Sequence, residues 1–324
     1  MENKKILEIK NLHVHYITED ETVRAVNGVN LSLQQGESLG LVGETGAGKT
    51  TTALSIMQLV PYPPGVITEG EIIFQGKNLI YNTDKENQQM RGNGISMIFQ
   101  DPMTSLNPIM TIGEQLVEVV LTHKKASKEE AKKQVIELLK IVGVKEDRFN
   151  DYPHQFSGGM KQRVVITMAL LCNPQLLIAD EPTTALDVTI QAQVLDIIRD
   201  LQRKYNMSMI LITHDLGVVA ETCDKVAIMY AGEIVETGTI EEVYTNAKHP
   251  YTRGLFESIP KLDEDSEKLI PIPGSTPNAA ALPSGCFFHP RCKYKQDICE
   301  EISPPVQGEG HCYKCHFSLF EKEQ

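Results

Sequence analysis

Nine residues near the start of the chain, GETGAGKTT from Gly43 to Thr51, have the types and spacing needed to hold a row of phosphates. Gly43, Gly48, Lys49 and Thr50 fit the pattern G-x-x-x-x-G-K-[ST], with Glu44, Thr45, Gly46 and Ala47 between them. Glycines at these places let backbone N–H groups turn inward around an anion. Lys49 supplies a cation for the outer phosphoryl oxygens, and Thr50 offers its hydroxyl to magnesium. Such a loop works only between an apolar strand and a helix whose positive end faces the anion. LGLV before it and TTALSIMQLV, which begins at Thr51 directly after Thr50, meet both conditions.

Two further stretches carry complementary chemistry. In LLIADEP a short apolar run ends in Asp180 and Glu181. A parallel strand delivers its C-terminal end to a ligand crevice, where Asp180 would hold magnesium and Glu181 would orient and deprotonate a water for in-line attack. In FSGGMKQR, Ser157 is a ready N-cap, while Gly158 and Gly159 allow close backbone approach at a second anion-ready helix start. Two phosphate-ready helix starts with one set of magnesium ligands imply that the second serves a nucleotide bound mainly by another copy or a partner.

The elements that must position these residues are legible from period and punctuation. KILEIKNLHVHY alternates as an edge strand does, and AVNGVNLSLQQGESLGLVG continues in short β-rich runs. YPPGVITEG (62–70) reads as loop, EIIFQG (71–76) as a short strand, and NLIYNTDKENQQMRGNG (78–94) as polar and exposed. GEQLVEVVLTHKKASKEEAKKQVIELLKIVGV (113–144) has helical spacing. A helix over 160–171, a strand over 175–179, a helix over 190–204, a strand over 209–213 and short strands to about 236 follow. Alternating strands and helices predict an α/β fold with a mostly parallel sheet covered on both faces. Residues 240–260 read as two short helices, and 261–285 as an acidic, then proline-rich linker. The expected plan is one domain over 1–236, with a helical insert over about 101–158, and a small appendage over 237–324.

Bulk properties narrow the setting. The 324 residues are 41% hydrophobic and 23% charged, within the range of globular proteins, and the mean hydropathy is −0.21. The opening MENKKILEIK has neither an apolar core nor a cleavage site, so a cytoplasmic location is expected. The longest apolar run, residues 164–179, is shorter than a membrane helix needs and is broken by Asn173-Pro174. A formal net charge of −12 disfavours a phosphate backbone as partner, so no nucleic acid is expected.

Taken in order, these motifs resemble the nucleotide-binding subunits of ABC transporters, from about Ile6 to Glu236. GETGAGKT is similar to Walker A, FSGGMKQ to the signature loop, LLIADEP to Walker B, and TALD, ending at Asp187, to the D-loop. Gln100 in MIFQDP matches the Q-loop glutamine, which the resemblance also places on magnesium; His214 in ITHD matches the switch histidine, and Tyr16 the adenine-stacking aromatic. The resemblance implies a P-loop NTPase of ABC type, with an N-terminal antiparallel β subdomain and a helical insert. It further implies two ATP molecules sandwiched head to tail with a second ABC ATPase subunit in a heterodimer. Glu181, His214 and Gln100 would act on the γ-phosphate and its attacking water. Two transmembrane permease subunits, an extracytoplasmic substrate-binding protein and a peripheral place on the cytoplasmic face of the plasma membrane complete the expectation. A soluble ABC ATPase acting on nucleic acid or the ribosome, and a redox-sensing regulator, are the alternative readings.

Five of the seven cysteines lie at the C-terminal end, whereas Cys172 and Cys223 lie in apolar runs and read as core residues. Cys286, Cys292, Cys299 and Cys315 are separated by five, six and fifteen residues, and Cys312 precedes the last by three. Four thiolates gathered by a loop-rich segment suit an iron–sulfur cluster; zinc and unliganded thiols remain alternatives. HPYTRGLFESIP, LPSGCFFHPRC and GHCYKCHF resemble the C-terminal region of dipeptide and oligopeptide importer ATPases, in some of which four cysteines hold a 4Fe-4S cluster. On that pattern the ligands are Cys286, Cys292, Cys299 and Cys315, with Cys312 a departure from it. Nickel or another small solute is an alternative cargo within the same class.

Overall fold

The structure is a computed structural model that describes residues 4–184, 186–258 and 271–317. The acidic part of the expected linker and Ala185 of TALD lie outside the described residues. The chain forms two compact units that alternate along the sequence.

The first unit comprises Met1–Ile6, Leu33–Ser38 and Tyr81–Ile212. Its centre is a parallel arrangement of the strands Ile95–Ile98, Leu176–Asp180 and Ser208–Thr213, with Leu176–Asp180 in the middle. All residues of the three are buried, so apolar side chains fall on both faces and the runs are mostly apolar rather than alternating. Helix Gly158–Leu170 starts on the Ser157 cap, and helix Val188–Lys204 starts on the Asp187 cap. The latter buries Val194, Leu195, Ile198 and Leu201 along one face.

The helical insert is two helices, Ile112–His123 and Lys128–Ile141, each opened by a capping box, Thr111 with Glu114 and Ser127 with Glu130. Gln134 and Lys124 both donate to the Leu171 carbonyl, and Arg163 donates to the Val142 carbonyl at 2.6 Å. Residues 78–94, expected to be polar and exposed and given no element, contain a third capped helix, Asp84–Met90, with Thr83 and Glu86 closing its box. The T-x-x-E signature was present; the polar composition concealed it because the helix is exposed on most sides.

The second unit comprises Leu7–Ser32, Leu39–Ile80 and Thr213–Gln324. One sheet in it has the strand order Thr22–Gln34, Lys5–Ile17, Gly65–Phe74, Lys77–Asn78. Lys5–Ile17 therefore lies inside the sheet, not at an edge as its alternation suggested. That alternation marks a single buried face, formed by Leu7, Ile9, Leu12 and Val14, and says nothing about edge pairing. Residues 65–70, expected as loop, are also strand: Gly65 pairs with Tyr16 and Val66 with His15. Cross-strand pairing overrides the local proline and glycine signals there. A Cβ on Gly65 would come within 2.9 Å of the Tyr16 ring, so the absent side chain is what admits the tyrosine.

A second group of strands in this unit begins with Ser38–Val42, parallel to Lys225–Tyr230. Lys225–Tyr230 pairs antiparallel with Glu233–Thr239, which pairs with Cys312–Lys314, which in turn pairs with Val306–Gln307. The C-terminal cysteine region thus continues a sheet instead of hanging from it. Two short helices, Ile240–Thr245 and Pro250–Glu257, appear where expected. Phe288 packs at ring-centroid distances of 5.2 and 5.4 Å from Tyr230 and Tyr251. Each such buried aromatic contributes on the order of 1.5–3 kcal/mol. Cys172 is buried and Cys223 packs against this core, as the sequence implies.

Two buried polar groups tie the region down. Glu236, fully buried, accepts from the backbone N–H groups of Lys248 and His249 at 2.7 and 2.9 Å and from His311 Nε2 at 2.7 Å. His249 Nδ1 accepts from Tyr251 N–H and caps helix Pro250–Glu257. Burial, with a smaller contribution from Lys314, holds the His249 imidazole down at about 3. Its unfolded value is near 6.5, so between pH ~6.5 and ~3 the unfolded chain binds a proton that the folded one does not. The His249 contribution to stability is thus complete above pH ~6.5 and shrinks as pH falls toward ~3. Denaturant midpoints measured across that range are expected to fall less steeply for His249→Asn, which keeps a capping side chain; equal slopes would refute the assignment.

Candidate active site

The phosphate loop is built in the second unit by the buried strand Ser38–Val42 and the helix Lys49–Ile56. Gly48, at φ 99°, is the N-cap, and no acidic side chain occupies the first turn of the helix, so its N–H groups face no built-in anion. A Cβ on Gly43 would lie 2.2 Å from the Met229 carbonyl oxygen and one on Gly48 2.4 Å from that of Ala25, so neither place admits a side chain. Lys49 is buried and its Nζ donates to the carbonyls of Gly43 and Glu44 at 2.6 and 3.1 Å. That holds the ammonium across the mouth of the loop, where a phosphate would meet it. The Tyr16 hydroxyl lies 3.4 Å from Thr51 Oγ1, at the start of the same helix, which leaves the half-buried ring beside the loop.

The carboxylates expected to act on magnesium and water are in the first unit. Asp180, buried, ends strand Leu176–Asp180, and Glu181 follows at φ 46°, its N–H donating to the Ile212 carbonyl at 2.9 Å. The left-handed backbone at Glu181 turns its side chain out of the strand line. There Glu181 Oε2 accepts from Gln100 Nε2 at 2.8 Å and from Thr184 Oγ1 at 3.0 Å. Gln100 follows strand Ile95–Ile98, so adjacent parallel strands deliver both residues to the same end of the sheet. Thr184 was missed by the sequence reading; its spacing of three from Glu181 across a tight turn is the signal that would have found it. His214 is exposed on the turn after strand Ser208–Thr213, directly before Asp215, which caps helix Leu216–Thr222.

Ser157, Gly158, Gly159 and Asp187 come together at a cavity of about 730 Å³ that is also lined by Lys145, Arg148 and Arg163. Ser157 accepts from Met160 N–H, and Asp187 accepts from Ile190 N–H at 2.9 Å. A Cβ on Gly159 would lie 2.6 Å from Ile190, so the glycine allows the two helix starts to approach. Two helix N-termini and three basic side chains make this cavity suited to an anion.

Comparison with known proteins bears directly on these features. Residues 26–184 match the family described as ABC transporter, and residues 235–299 match the oligopeptide/dipeptide transporter C-terminal region. The oligopeptide transport ATP-binding protein OppD of Bacillus subtilis is 53% identical over 93% of this chain and 85% of its own length. The chain belongs to the ABC transporter ATP-binding proteins. The dipeptide transport ATP-binding protein DppD of the same organism is 49% identical over 96% of this chain and 94% of its own. Among solved structures, a dimeric ATP-binding cassette in a post-hydrolysis state with ADP and Pi is 29% identical, with a TM-score of 0.65 over 72% of this chain and 98% of that one. The α/β fold of ABC type is thus shared, and the protein is an ATPase of the cassette family. No helix among the described residues is long and apolar enough to cross a membrane.

The C-terminal cysteines of this cassette lie in the second unit. Cys286, Cys292, Cys299 and Cys315 act electrostatically on one another in all six pairings, while Cys312 is not among their principal influences. The Cys312 thiol faces the Gly308 carbonyl, on the strand that pairs with Glu233–Thr239. Burial pushes the Cys286 thiol up to about 12 and Cys292 up to about 11, and also raises Cys315. Against that, backbone N–H groups two residues on, at Phe288, Tyr294 and Phe317, favour the three thiolates. Gly285, at φ 64°, is needed because a Cβ would lie 2.4 Å from the Cys299 carbonyl oxygen. Among the described residues no group of three or more His, Cys, Asp or Glu is arranged to hold a metal ion.

Proposed function

We propose that this cassette hydrolyses ATP to drive import of dipeptides or oligopeptides through a membrane permease. The observation that carries the reading is similarity of about half the residues over nearly the whole chain, C-terminal region included, to ATP-binding proteins named for oligopeptide and dipeptide transport. Two such cassettes would face each other head to tail. The phosphate loop, Gly43–Thr51, would bind the triphosphate, and Tyr16 would stack on adenine. Thr50, Asp180 and Gln100 would hold Mg²⁺. Ser157, Gly158, Gly159 and Asp187 would close on the nucleotide of the facing protomer, for which the basic cavity around Ser157 is the support. Glu181 would deprotonate the attacking water while Gln100 and Thr184 fix its carboxylate; His214 would hold the γ-phosphate.

The partners in this reading are a second ABC ATPase subunit, two permease subunits and an extracytoplasmic binding protein, with the chain on the cytoplasmic face of the membrane. The functional boundary would fall near residues 236–237, between cassette and peptide-transporter extension. Deleting the gene is expected to abolish growth on a peptide as sole amino-acid source and to leave growth on free amino acids intact; unimpaired peptide growth would refute the cargo assignment.

For the cysteines, the 4Fe-4S reading draws on four thiols near enough to influence one another and on backbone N–H groups at Phe288, Tyr294 and Phe317 that favour three of the thiolates. Cys286, Cys292, Cys299 and Cys315 would hold the cluster, and its bonds would stabilise a segment with little core of its own. Anaerobically purified protein is expected to carry iron and acid-labile sulfide; zinc at one equivalent without iron would overturn this.

A further inference from the structure

The phosphate loop contains one acidic residue, and that residue is occupied at every polar group it has. The Glu44 carbonyl accepts from Lys49 Nζ and from Ala47 N–H, both at 3.1 Å. Its N–H donates to the Tyr251 hydroxyl at 3.1 Å. Its carboxylate is gripped by the two terminal nitrogens of Arg291, at 2.6 and 3.1 Å. Tyr251 and Arg291 are 207 and 247 residues away along the chain and belong to the C-terminal region.

Arg291 is built into place. Its side chain is 4% exposed, against 31% for Glu44, and its Nε donates to the Pro273 carbonyl at 2.9 Å. The guanidinium also faces the Tyr230 ring, 5.7 Å from its centroid. A planar, forked cation fixed by backbone and ring leaves the carboxylate little freedom. Without it, the loop would carry an uncompensated carboxylate that works against the binding of an anionic phosphate chain.

We propose that Arg291 is a positioning residue for the phosphate loop, neutralising and pinning Glu44 so that the loop accepts a nucleoside triphosphate. The cassette's nucleotide affinity is then partly set by its C-terminal extension. The inference rests on nucleotide binding at this loop, and is independent of the cargo and of any metal.

The experiment is titration of the purified full chain with MgATP, and with adenosine by competition, alongside a thermal melt. Arg291→Met is expected to weaken MgATP by about 10- to 100-fold, the scale of one uncompensated charge in the loop, and to leave adenosine unchanged. Adding Glu44→Gln to Arg291→Met is expected to restore MgATP affinity to within a few-fold. Unchanged MgATP affinity in Arg291→Met, equal losses for MgATP and adenosine, or failure of Glu44→Gln to restore binding would each overturn the proposal. If Arg291→Met does not fold, Arg291→Lys decides: retained charge should hold MgATP within a few-fold, and a large loss refutes charge neutralisation. An unaltered chain that fails to bind MgATP overturns the nucleotide reading as well, which separates the two failures.

Discussion

Glu181→Gln is expected to bind MgATP as the unaltered cassette does and to lose about 10²–10⁴-fold in steady-state hydrolysis, the range of a general base. The substitution keeps the side-chain volume, and the new amide oxygen can still accept from Gln100 and Thr184, which hold the present carboxylate at 2.8 and 3.0 Å. The strained backbone at φ 46° is unchanged, since glutamine pays the same cost there as glutamate. What disappears is the ability to take a proton from water. Phosphate release and nucleotide binding, measured on the same preparation, separate the two effects. Hydrolysis within a few-fold of the original would remove Glu181 from the proton transfer and leave it a ligand of Gln100.

The second large effect concerns stability. Glu236→Ala is expected to cost about 3–5 kcal/mol, the range for breaking a buried, fully hydrogen-bonded group. The carboxylate is 0% exposed and serves three donors, the N–H groups of Lys248 and His249 and the imidazole of His311. Alanine leaves all three facing a void with no acceptor. Glu236→Gln, which retains one acceptor oxygen, is expected to lose less. Chemical denaturation of both variants checks the order, and a loss below 1 kcal/mol for alanine would show that the three donors find other partners. Because His311 lies in the segment leading to Cys312–Lys314, the loss should appear first as loosening of that strand in hydrogen exchange.

The features readable from sequence are those encoded over a few adjacent residues. The phosphate loop needs its glycines because of carbonyls at Ala25 and Met229, yet the motif announces itself without them. The Ser157 cap, the buried strands over Leu176–Asp180 and Ser208–Thr213 and the two insert helices are similarly local. Residues 65–70 were misread because strand formation there depends on Lys5–Ile17, far away in sequence. The Arg291–Glu44 pair spans 247 residues and the His311–Glu236 contact 75, so neither leaves a spacing that a motif could capture. Thr184 is the intermediate case: near in sequence to Glu181, but informative only once the turn between them is known.

The hairpin formed by Val306–Gln307 and Cys312–Lys314 has a consequence beyond the cysteines it brings in. By pairing with Glu233–Thr239 along one side, it occupies backbone donors and acceptors that would otherwise offer a template to other chains. The tail therefore doubles as a guard against self-association by strand addition. A cassette shortened before residue 306 would keep its catalytic motifs and acquire a sticky margin, so its solubility would fail before its chemistry did.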